Sequence, residues 1–222
     1  MMHRRREPSV PRRRKETGLG IIAADLFLTL DGVYQAPGGS DEDRTGGFVF
    51  GGWQASFADD ATGASIMSSI ERTDALLLGR RTYDIFAAYW PFQPADGPVA
   101  AKFAAIPKYV VSRTLENPSW AGTTVLQDAT AVGRLRDEFD EVHTWGSGEL
   151  LRSLLAEGLV DRLNLWIYPI ALGTGKRLFD TGTVPVAFRP AQPAHAFDSG
   201  VMALVLEPAG DVKTGEVAAA EA

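Results

Sequence analysis

Apolar runs alternate with stripes of apolar residues at helical spacing along most of the chain. The run "IIAADLFLTL" predicts a first buried strand, whereas Ile66, Met67 and Ile70 predict one face of a helix that begins near Asp59 or Asp60. The same test along the chain predicts strands at 21–30, 75–79, 108–112, 123–126, 140–145, 160–172, 185–190 and 194–206, and helices at 59–73, 81–89, 98–105, 129–138 and 149–157.

The order of these elements predicts the α/β class. Strands that alternate with helices over the first two-thirds of a chain form a mostly parallel sheet with helices on both faces. The closing segment is rich in strands and poor in helices, which predicts one or more antiparallel strands at an edge of the sheet. Within 160–172, Leu163, Leu165 and Ile167 are expected to face one side of the sheet, and the residues between them the other.

Length and composition favour a single domain with tails. The chain has 222 residues, of which 45% are hydrophobic, so it can bury a core of its own. We assign the domain to residues 19–207 and expect disordered tails at 1–18 and 208–222. There are no cysteines, and the three histidines are scattered, which excludes disulfides and thiolate ligands and predicts that the protein binds no metal.

Charge is unevenly distributed between the first tail and the rest of the chain. Residues 1–18 carry a net charge of +5, whereas the remainder carries −11. An acidic body argues against a nucleic-acid-binding fold. The basic tail is either an arm for a nucleic acid or a membrane surface, or translated sequence upstream of the true start. It has no apolar segment typical of a signal peptide, and no run approaches a membrane span, so we expect a cytoplasmic protein.

Three predicted strands end in residues that suit a phosphorylated ligand. The exits are "GRRT" at 79–82, "SRT" at 112–114 and "GSGE" at 146–149. Ligands of open α/β sheets lie outside the carboxyl ends of the strands, so these exits are expected to line one crevice. Glycines allow close backbone approach, helix N-termini attract anions, and arginines bind phosphate through two parallel hydrogen bonds. This inventory predicts a phosphorylated dinucleotide such as NADPH.

Each exit has a structural alternative when it is taken alone. Arg80 and Arg81 can belong to a solvated basic turn, and Ser147 can simply cap the helix that follows a tight turn. The spacing at 146–148 is also not the six-residue glycine fingerprint of dinucleotide-binding folds. The combination of three such exits in succession favours the ligand interpretation.

Five segments resemble a known family. They are "LTLDG…QAPGG", "LLLGRRTYDIFAAYWP", "IPKYVVSRTL", "GSGELLRSLL" and "LVDRLNLWIYPIALGTGKRLF". In this order they resemble the bacterial dihydrofolate-reductase-like proteins related to the C-terminal reductase domain of the riboflavin-biosynthesis protein. The likeness extends from about residue 21 to about residue 207. It implies a dihydrofolate reductase-like sheet, NADPH as hydride donor, and a homodimer.

The resemblance also implies where the cofactor lies. Gly79, Arg80, Arg81 and Thr82 would meet the pyrophosphate or the adenosine ribose. The adenosine 2′-phosphate would contact Ser112, Arg113 and Thr114. The pyrophosphate and nicotinamide side would be wrapped by Gly146, Ser147, Gly148, Glu149 and Leu150.

The substrate side is less constrained by the sequence. Asp31 ends the first strand and is the candidate catalytic and substrate-binding carboxylate, with a turn-forming Asp-Gly as the alternative. Trp53, Tyr83 and Trp90 are candidates for stacking on a flat heterocycle, although aromatics near helix ends are often core residues. His143 lacks a catalytic partner at suitable spacing and is interpreted as structural.

These observations predict an NADPH-dependent reductase that transfers a hydride to a C=N or C=O bond. The substrate would be a small heterocyclic or sugar-derived molecule. Two alternatives remain open: a reductase of the riboflavin-pathway ribosylaminopyrimidine, and a nucleotide-binding module without turnover. No acidic residue of the first long helix matches the one that holds the pterin in dihydrofolate reductases, which does not favour folate.

Overall fold

A computed structural model describes residues 19–216. Its strands are β1 (Ile21–Thr29), β2 (Ala75–Gly79), β3 (Lys108–Val111), β4 (Thr123–Leu126), β5 (Glu141–Trp145), β6 (Arg162–Tyr168), β7 (Phe188–Pro190), β8 (His195–Ala196) and β9 (Met202–Pro208). Its α-helices are α1 (Asp60–Arg72), α2 (Arg80–Tyr89), α3 (Pro98–Ala105) and α4 (Gly148–Ala156). Shorter 3₁₀ helices lie at Thr45–Gly47, Ala55–Phe57, Trp90–Phe92 and Ala129–Asp137.

One sheet contains all of these strands. Its order is β4-β3-β2-β5-β1-β6-β9-β7, with β8 paired to β9. The six strands from β4 to β6 are mutually parallel, and β9 runs antiparallel to β6, β7 and β8. The predicted α/β class, the mostly parallel sheet and the antiparallel strands at the C-terminal edge are therefore confirmed.

Helices cover both faces of this sheet. On one face, α4 and the segment Ala129–Asp137 pack on the apolar side chains of β1, β2, β5 and β6. On the other face, α1, α2 and α3 pack around an aromatic-rich core that includes Phe103, Trp145 and Trp166. The alternation in β6 is as predicted, because Leu163 and Leu165 join the first core and Trp166 the second.

Local signals in the sequence explain most element boundaries. Asp59 is the N-cap of α1, and its carboxylate accepts a hydrogen bond from the Thr62 N–H at 2.9 Å. The segment predicted as a helix at 129–138 is a 3₁₀ helix, with Asp128 as its cap.

The predicted tails fall partly outside the described residues. Residues 1–18 and 217–222 lie outside them. The second boundary, predicted at 208, falls within the fold, because β9 includes Pro208 and the backbone of Ala187 pairs with both Ala209 and Gly210.

A buried hydrogen-bond chain crosses the aromatic side of the sheet. Asp25 and His143, on neighbouring strands, are both fully buried, and Asp25 Oδ2 lies 2.6 Å from His143 Nδ1. Glu141 accepts from His143 Nε2 at 2.9 Å. Asp25 Oδ1 also accepts from Ser69 at 2.5 Å and from Asn164 at 2.9 Å. His143 is thus part of a buried hydrogen-bond chain, which agrees with its interpretation as a structural residue.

The two carboxylates determine the charge of His143. Burial alone would lower the pKa of His143, but the charge of Asp25 and the hydrogen bonds to Asp25 and Glu141 outweigh it and raise that pKa to about 9. His143 therefore binds its proton more tightly in the folded chain than in the unfolded chain. Its contribution to stability is complete below about pH 6.5 and is lost as the pH rises through about 9.

We therefore expect His143→Gln to lose more unfolding free energy at pH 6 than at pH 9.5, by about 2 kcal/mol or more. Urea unfolding at the two pH values measures the difference. His195→Gln is the matched control, because His195 is exposed. An equal loss for His143→Gln at both pH values would contradict this electrostatic role.

Candidate cofactor and substrate site

A cavity of about 1280 Å³ opens at the carboxyl ends of the parallel strands. It is lined by all three predicted exits, at 79–82, 112–114 and 146–150, and by a loop that contributes residues 34–43. Every one of the twelve residues predicted to bind the cofactor therefore lies in one cavity. Its volume exceeds that of an ordinary small-molecule pocket.

The cavity opens where β2 and β5 stop pairing. Their register contains only two pairs, Ala75 with Val142 and Leu76 with His143. Beyond this point the N–H of Gly79 donates instead to Ser147 Oγ, at 3.0 Å. Two strands that separate toward their carboxyl ends leave a crevice between them.

Three hydrogen bonds join the exits to one another. Gly79 is bound to Ser147, as above. The Thr82 hydroxyl reaches the carbonyl of Gly146 at 3.5 Å, and Arg80 Nη1 reaches Thr114 Oγ1 at 3.4 Å. The exits therefore form one continuous polar wall, although they lie far apart in the sequence.

Two helices begin at this wall without a side-chain cap. Gly79 precedes α2 and has no side chain, while Ser147 precedes α4 but makes no capping hydrogen bond. The Ser147 hydroxyl is instead engaged with Gly79 and with the carbonyl of Trp145. The alternative in which Ser147 is only an N-cap is therefore not what the structure shows. Uncapped helix N-termini carry free N–H groups and positive potential.

Four cationic side chains line the cavity, and three of them are already paired. Arg80 binds Asp84 at 2.9 Å, whereas Arg81 and Lys176 both bind Asp43, at 2.8 and 2.7 Å. Arg113 is exposed and makes no ion pair with any residue in the 19–216 range. It is therefore the cation of the cavity that remains available to an incoming phosphate.

Asp43 holds the loop over the cavity. It is 6% exposed and accepts hydrogen bonds from Arg81, Lys176 and Thr45. Burial would raise the pKa of Asp43, but the hydrogen bonds from Lys176 and Thr45 outweigh it and lower that pKa to about 2. Residues 34–43 of this loop therefore form one wall of the cavity.

Tyr34 lies directly on the third exit. A side-chain carbon added at Gly148 would collide with the Tyr34 ring, so glycine is required there for the ring to approach the start of α4. Burial, and then the nearby charge of Glu149, raise the pKa of Tyr34 to about 12. The Tyr34 phenol thus stays protonated at physiological pH.

The other end of the cavity is aromatic. Its wall contains Phe27, Phe86, Tyr89, Trp90 and Trp145. The rings form two groups: Phe27 and Trp145 are tilted with centroids 6.2 Å apart, and Trp90 contacts Phe86 and Tyr89 edge to face, at 6.1 and 5.0 Å. Such a wall suits a flat, weakly polar molecule.

Comparison with known proteins assigns the chain to a family. The family model described as the RibD C-terminal domain matches residues 21–201. The chain belongs to the RibD C-terminal domain family. The resemblance inferred from the five sequence segments is therefore confirmed.

Two individual proteins illustrate the likeness. The chain is 24% identical over 191 residues to the uncharacterized protein YyaP of Bacillus subtilis (strain 168), covering 83% of this chain and 93% of that protein. A crystal structure of a Shewanella sp. PV-4 protein, provisionally assigned to riboflavin biosynthesis, superposes with a TM-score of 0.64 at 19% identity. The superposition covers 85% of this chain and 98% of the other, and it supports the RibD C-terminal domain fold.

Only some of the predicted substrate residues line the cavity. Trp90 lines the cavity, but Trp53 and Tyr83 do not belong to its lining. Trp53 is 8% exposed, donates to the carbonyl of Gln35 at 2.8 Å and packs on Tyr168. The Tyr83 hydroxyl accepts from the backbone N–H of Trp120 at 3.0 Å. Both side chains are therefore buried core residues and not part of the cavity wall.

Asp31 also lies outside the cavity lining. Its carboxylate accepts hydrogen bonds from Thr29, from the N–H groups of Leu172 and Gly173, and from Arg177. Burial would raise the pKa of Asp31, but these donors outweigh it and hold that pKa far below its ordinary value. These contacts assign Asp31 to fixing a loop, and they do not support the predicted catalytic role.

Sequence reasoning missed several residues of the site, among them Phe27, Tyr34, Asp43 and Trp145. The aromatic wall had a signal, because Phe27 and Trp145 each lie two residues after a buried polar residue on the same strand face. Lys176 and Arg177 each pair with a carboxylate of the chain itself, Asp43 and Asp31 respectively.

Two kinds of feature are absent from the described residues, a metal-binding cluster and a membrane-spanning helix. Between residues 19 and 216, no group of three or more His, Asp or Glu side chains is arranged to hold a metal ion. In the same range, no helix is both long and apolar enough to cross a membrane.

We expect Gly148→Ala to cost about 1–3 kcal/mol of unfolding free energy, because the Tyr34 ring must move to admit the methyl group. The same substitution in a Tyr34→Ala background should cost clearly less. A double-mutant cycle measured by urea unfolding gives the coupling. Equal costs in the two backgrounds would show that Tyr34 does not press on this glycine.

Proposed function

We propose that this member of the RibD C-terminal domain family is an NADPH-dependent reductase of a small heterocyclic substrate. The observation that carries the proposal is the union of the three strand exits in one cavity, with two uncapped helix N-termini and one unpaired arginine. When bound, the nicotinamide supplies a hydride for a C=N or C=O bond.

The polar wall fits a pyrophosphate. Free N–H groups at the starts of α2 and α4 provide donors and positive potential. Gly146, with φ of +63°, lets the backbone approach a ligand without a side chain in between. Ser147 binds the two exits together and so fixes their spacing before a ligand arrives.

The end of the cavity near β3 fits the adenosine 2′-phosphate. Arg113 has no acidic partner among the described residues, and the hydroxyl of Thr114 lies beside it in the chain. The buried Ser112 hydroxyl accepts from the N–H groups of Thr114 and Leu115, at 3.2 and 3.1 Å, and holds this turn in shape. Asp128, which follows the neighbouring strand β4 and also lines the cavity, accepts hydrogen bonds from Thr130 and from the N–H of Ala131 and makes no ion pair with Arg113. A guanidinium left without an ionic partner among the described residues supports NADPH over NADH.

The aromatic end fits the nicotinamide and the substrate. Phe86, Trp90 and Trp145 offer ring surfaces and exclude water. Tyr34 offers a protonated phenol that can donate a hydrogen bond to the substrate. Because the cavity's other three cations are paired, this end suits a neutral heterocycle better than an anionic one.

The two alternatives differ from this proposal in what the aromatic end does. A ribosylaminopyrimidine would place its heterocycle against the aromatic wall and its sugar against the loop at residues 34–43. A nucleotide-binding module would bind NADPH with the same residues and reduce nothing.

We expect Arg113→Ala to weaken NADPH binding roughly tenfold to a hundredfold and to leave NADH binding unchanged, because a charged hydrogen bond to the 2′-phosphate is lost. Titration followed by nicotinamide fluorescence measures both affinities. Arg134→Ala is the matched control, since Arg134 is exposed and does not line the cavity. No binding of either nucleotide to the wild type would overturn the proposed function.

We expect absorbance at the nicotinamide band to fall when NADPH, protein and a flat heterocyclic imine or carbonyl compound are combined. Trp90→Leu should raise KM for that compound more than it raises Kd for NADPH, because Trp90 belongs to the aromatic end. If a panel of such compounds and a ribosylaminopyrimidine all leave bound NADPH unoxidised, the module without turnover is the better assignment.

A further inference from the structure

A second cavity, of about 540 Å³, lies on the aromatic side of the sheet between α1, β6 and β9. It is walled by Ser65, Ser68 and Ser69 on one face of α1, by Arg162 and Asn164 on β6, and by Val205 on β9. It shares no lining residue with the cofactor and substrate cavity. A cavity of this volume is large enough for a small molecule.

An aromatic partition separates the two cavities. Trp166 lines the second cavity and Trp145 lines the first, and their rings are stacked at 16° with centroids 6.1 Å apart. Phe27 contacts both rings. The second cavity is therefore a distinct compartment and not an extension of the first.

The wall of the second cavity is built from buried polar groups. Ser69 and Asn164 are 1% and 4% exposed, and both bind Asp25 Oδ1. They connect the cavity to the buried chain of Asp25, His143 and Glu141. Buried polar side chains are costly unless they are satisfied, and here that chain satisfies them in fixed orientations.

The charged side chains around this cavity include more cations than anions. His143 is matched by Asp25, and Glu207 is bound by Arg189 at 2.7 Å. Glu141, which also binds His143, is the acidic partner of both Arg72 and Arg162, at 3.5 and 3.4 Å. One carboxylate therefore faces two guanidinium groups.

Arg162 is the less engaged of these two cations. Arg72 folds back onto its own helix and donates to the carbonyl and hydroxyl of Ser68, at 3.0 and 2.9 Å. Arg162 makes, among the residues described, only the 3.4 Å contact with Glu141. Its remaining N–H donors face a cavity that also contains the serine hydroxyls.

We propose that this second cavity binds a small molecule bearing an oxyanion, either a carboxylate or a phosphate, with Arg162 as its ionic partner. Ser65 and Ser68 supply hydroxyl donors, and Trp166 and Ala203 supply an apolar wall for the body of the ligand. The inference does not depend on the proposed reductase activity, because none of these residues lines the first cavity.

The test uses the indole N–H resonance of Trp166, which donates to Ser65 Oγ at 3.2 Å and so reports on the cavity wall. The full chain, labelled with ¹⁵N and assigned through Trp166→Phe, is titrated separately with succinate and with inorganic phosphate. We expect a saturable shift with at least one of them, and the stronger of the two identifies the oxyanion. Arg162→Gln should weaken that binding about tenfold or more.

Arg113→Gln is the matched control, because it removes the same charge from the other cavity and should leave the Trp166 titration unchanged. Ser65→Ala provides a second variant, with a smaller expected loss, and decides the question if Arg162→Gln does not fold. No saturable shift with either probe overturns the proposal. A shift that survives Arg162→Gln, or that is lost only in Arg113→Gln, also overturns it.

Discussion

The separation of β2 from β5 is the constraint on which the site depends. The strands pair at two positions only, and the hydrogen bond from Gly79 to Ser147 then replaces the ladder. A backbone N–H left without a partner in a buried position costs free energy, so this hydroxyl allows the strands to part without that penalty. The same bond determines the distance between two helix N-termini. The crevice and its anion-binding character therefore have a common origin.

The sequence predicted those parts of the site that depend on a single strand end. An apolar run followed by glycine, arginine or a hydroxyl residue is a local signal, and all three exits identified in this way meet in one cavity. The mostly parallel character of the sheet follows from similar signals, because strands that alternate with helices form parallel pairs. The order of the strands was not predicted. Most element boundaries lie within a few residues of the prediction. The strand predicted at 194–206 is instead divided into β8 and β9, and β9 extends one residue past the predicted domain end.

The parts that escaped prediction depend on contacts between distant segments. Arg81 carries the same charge in the sequence as Arg113, but only the structure shows that Asp43, 38 residues away, neutralises the first. Asp31 occupies the strand end where a catalytic carboxylate would be expected, and its role is decided by Leu172, Gly173 and Arg177, about 140 residues later. No local pattern reports such pairings, since they arise from the order of strands in the sheet.

The neutralisation of Arg81 and Lys176 by one carboxylate has a consequence for how a ligand approaches. Free positive charge in the first cavity is concentrated at Arg113, which follows β3, two places in the strand order from β5 and its Trp145. This uneven distribution of positive charge would orient an elongated anion, so that its phosphorylated end enters toward β3. Dissolved salt would weaken that alignment, because Arg113 is exposed, but it would leave ring stacking at the opposite end almost untouched. Entry of the ligand would thus depend strongly on ionic strength, whereas the stacking of its ring would depend on it little.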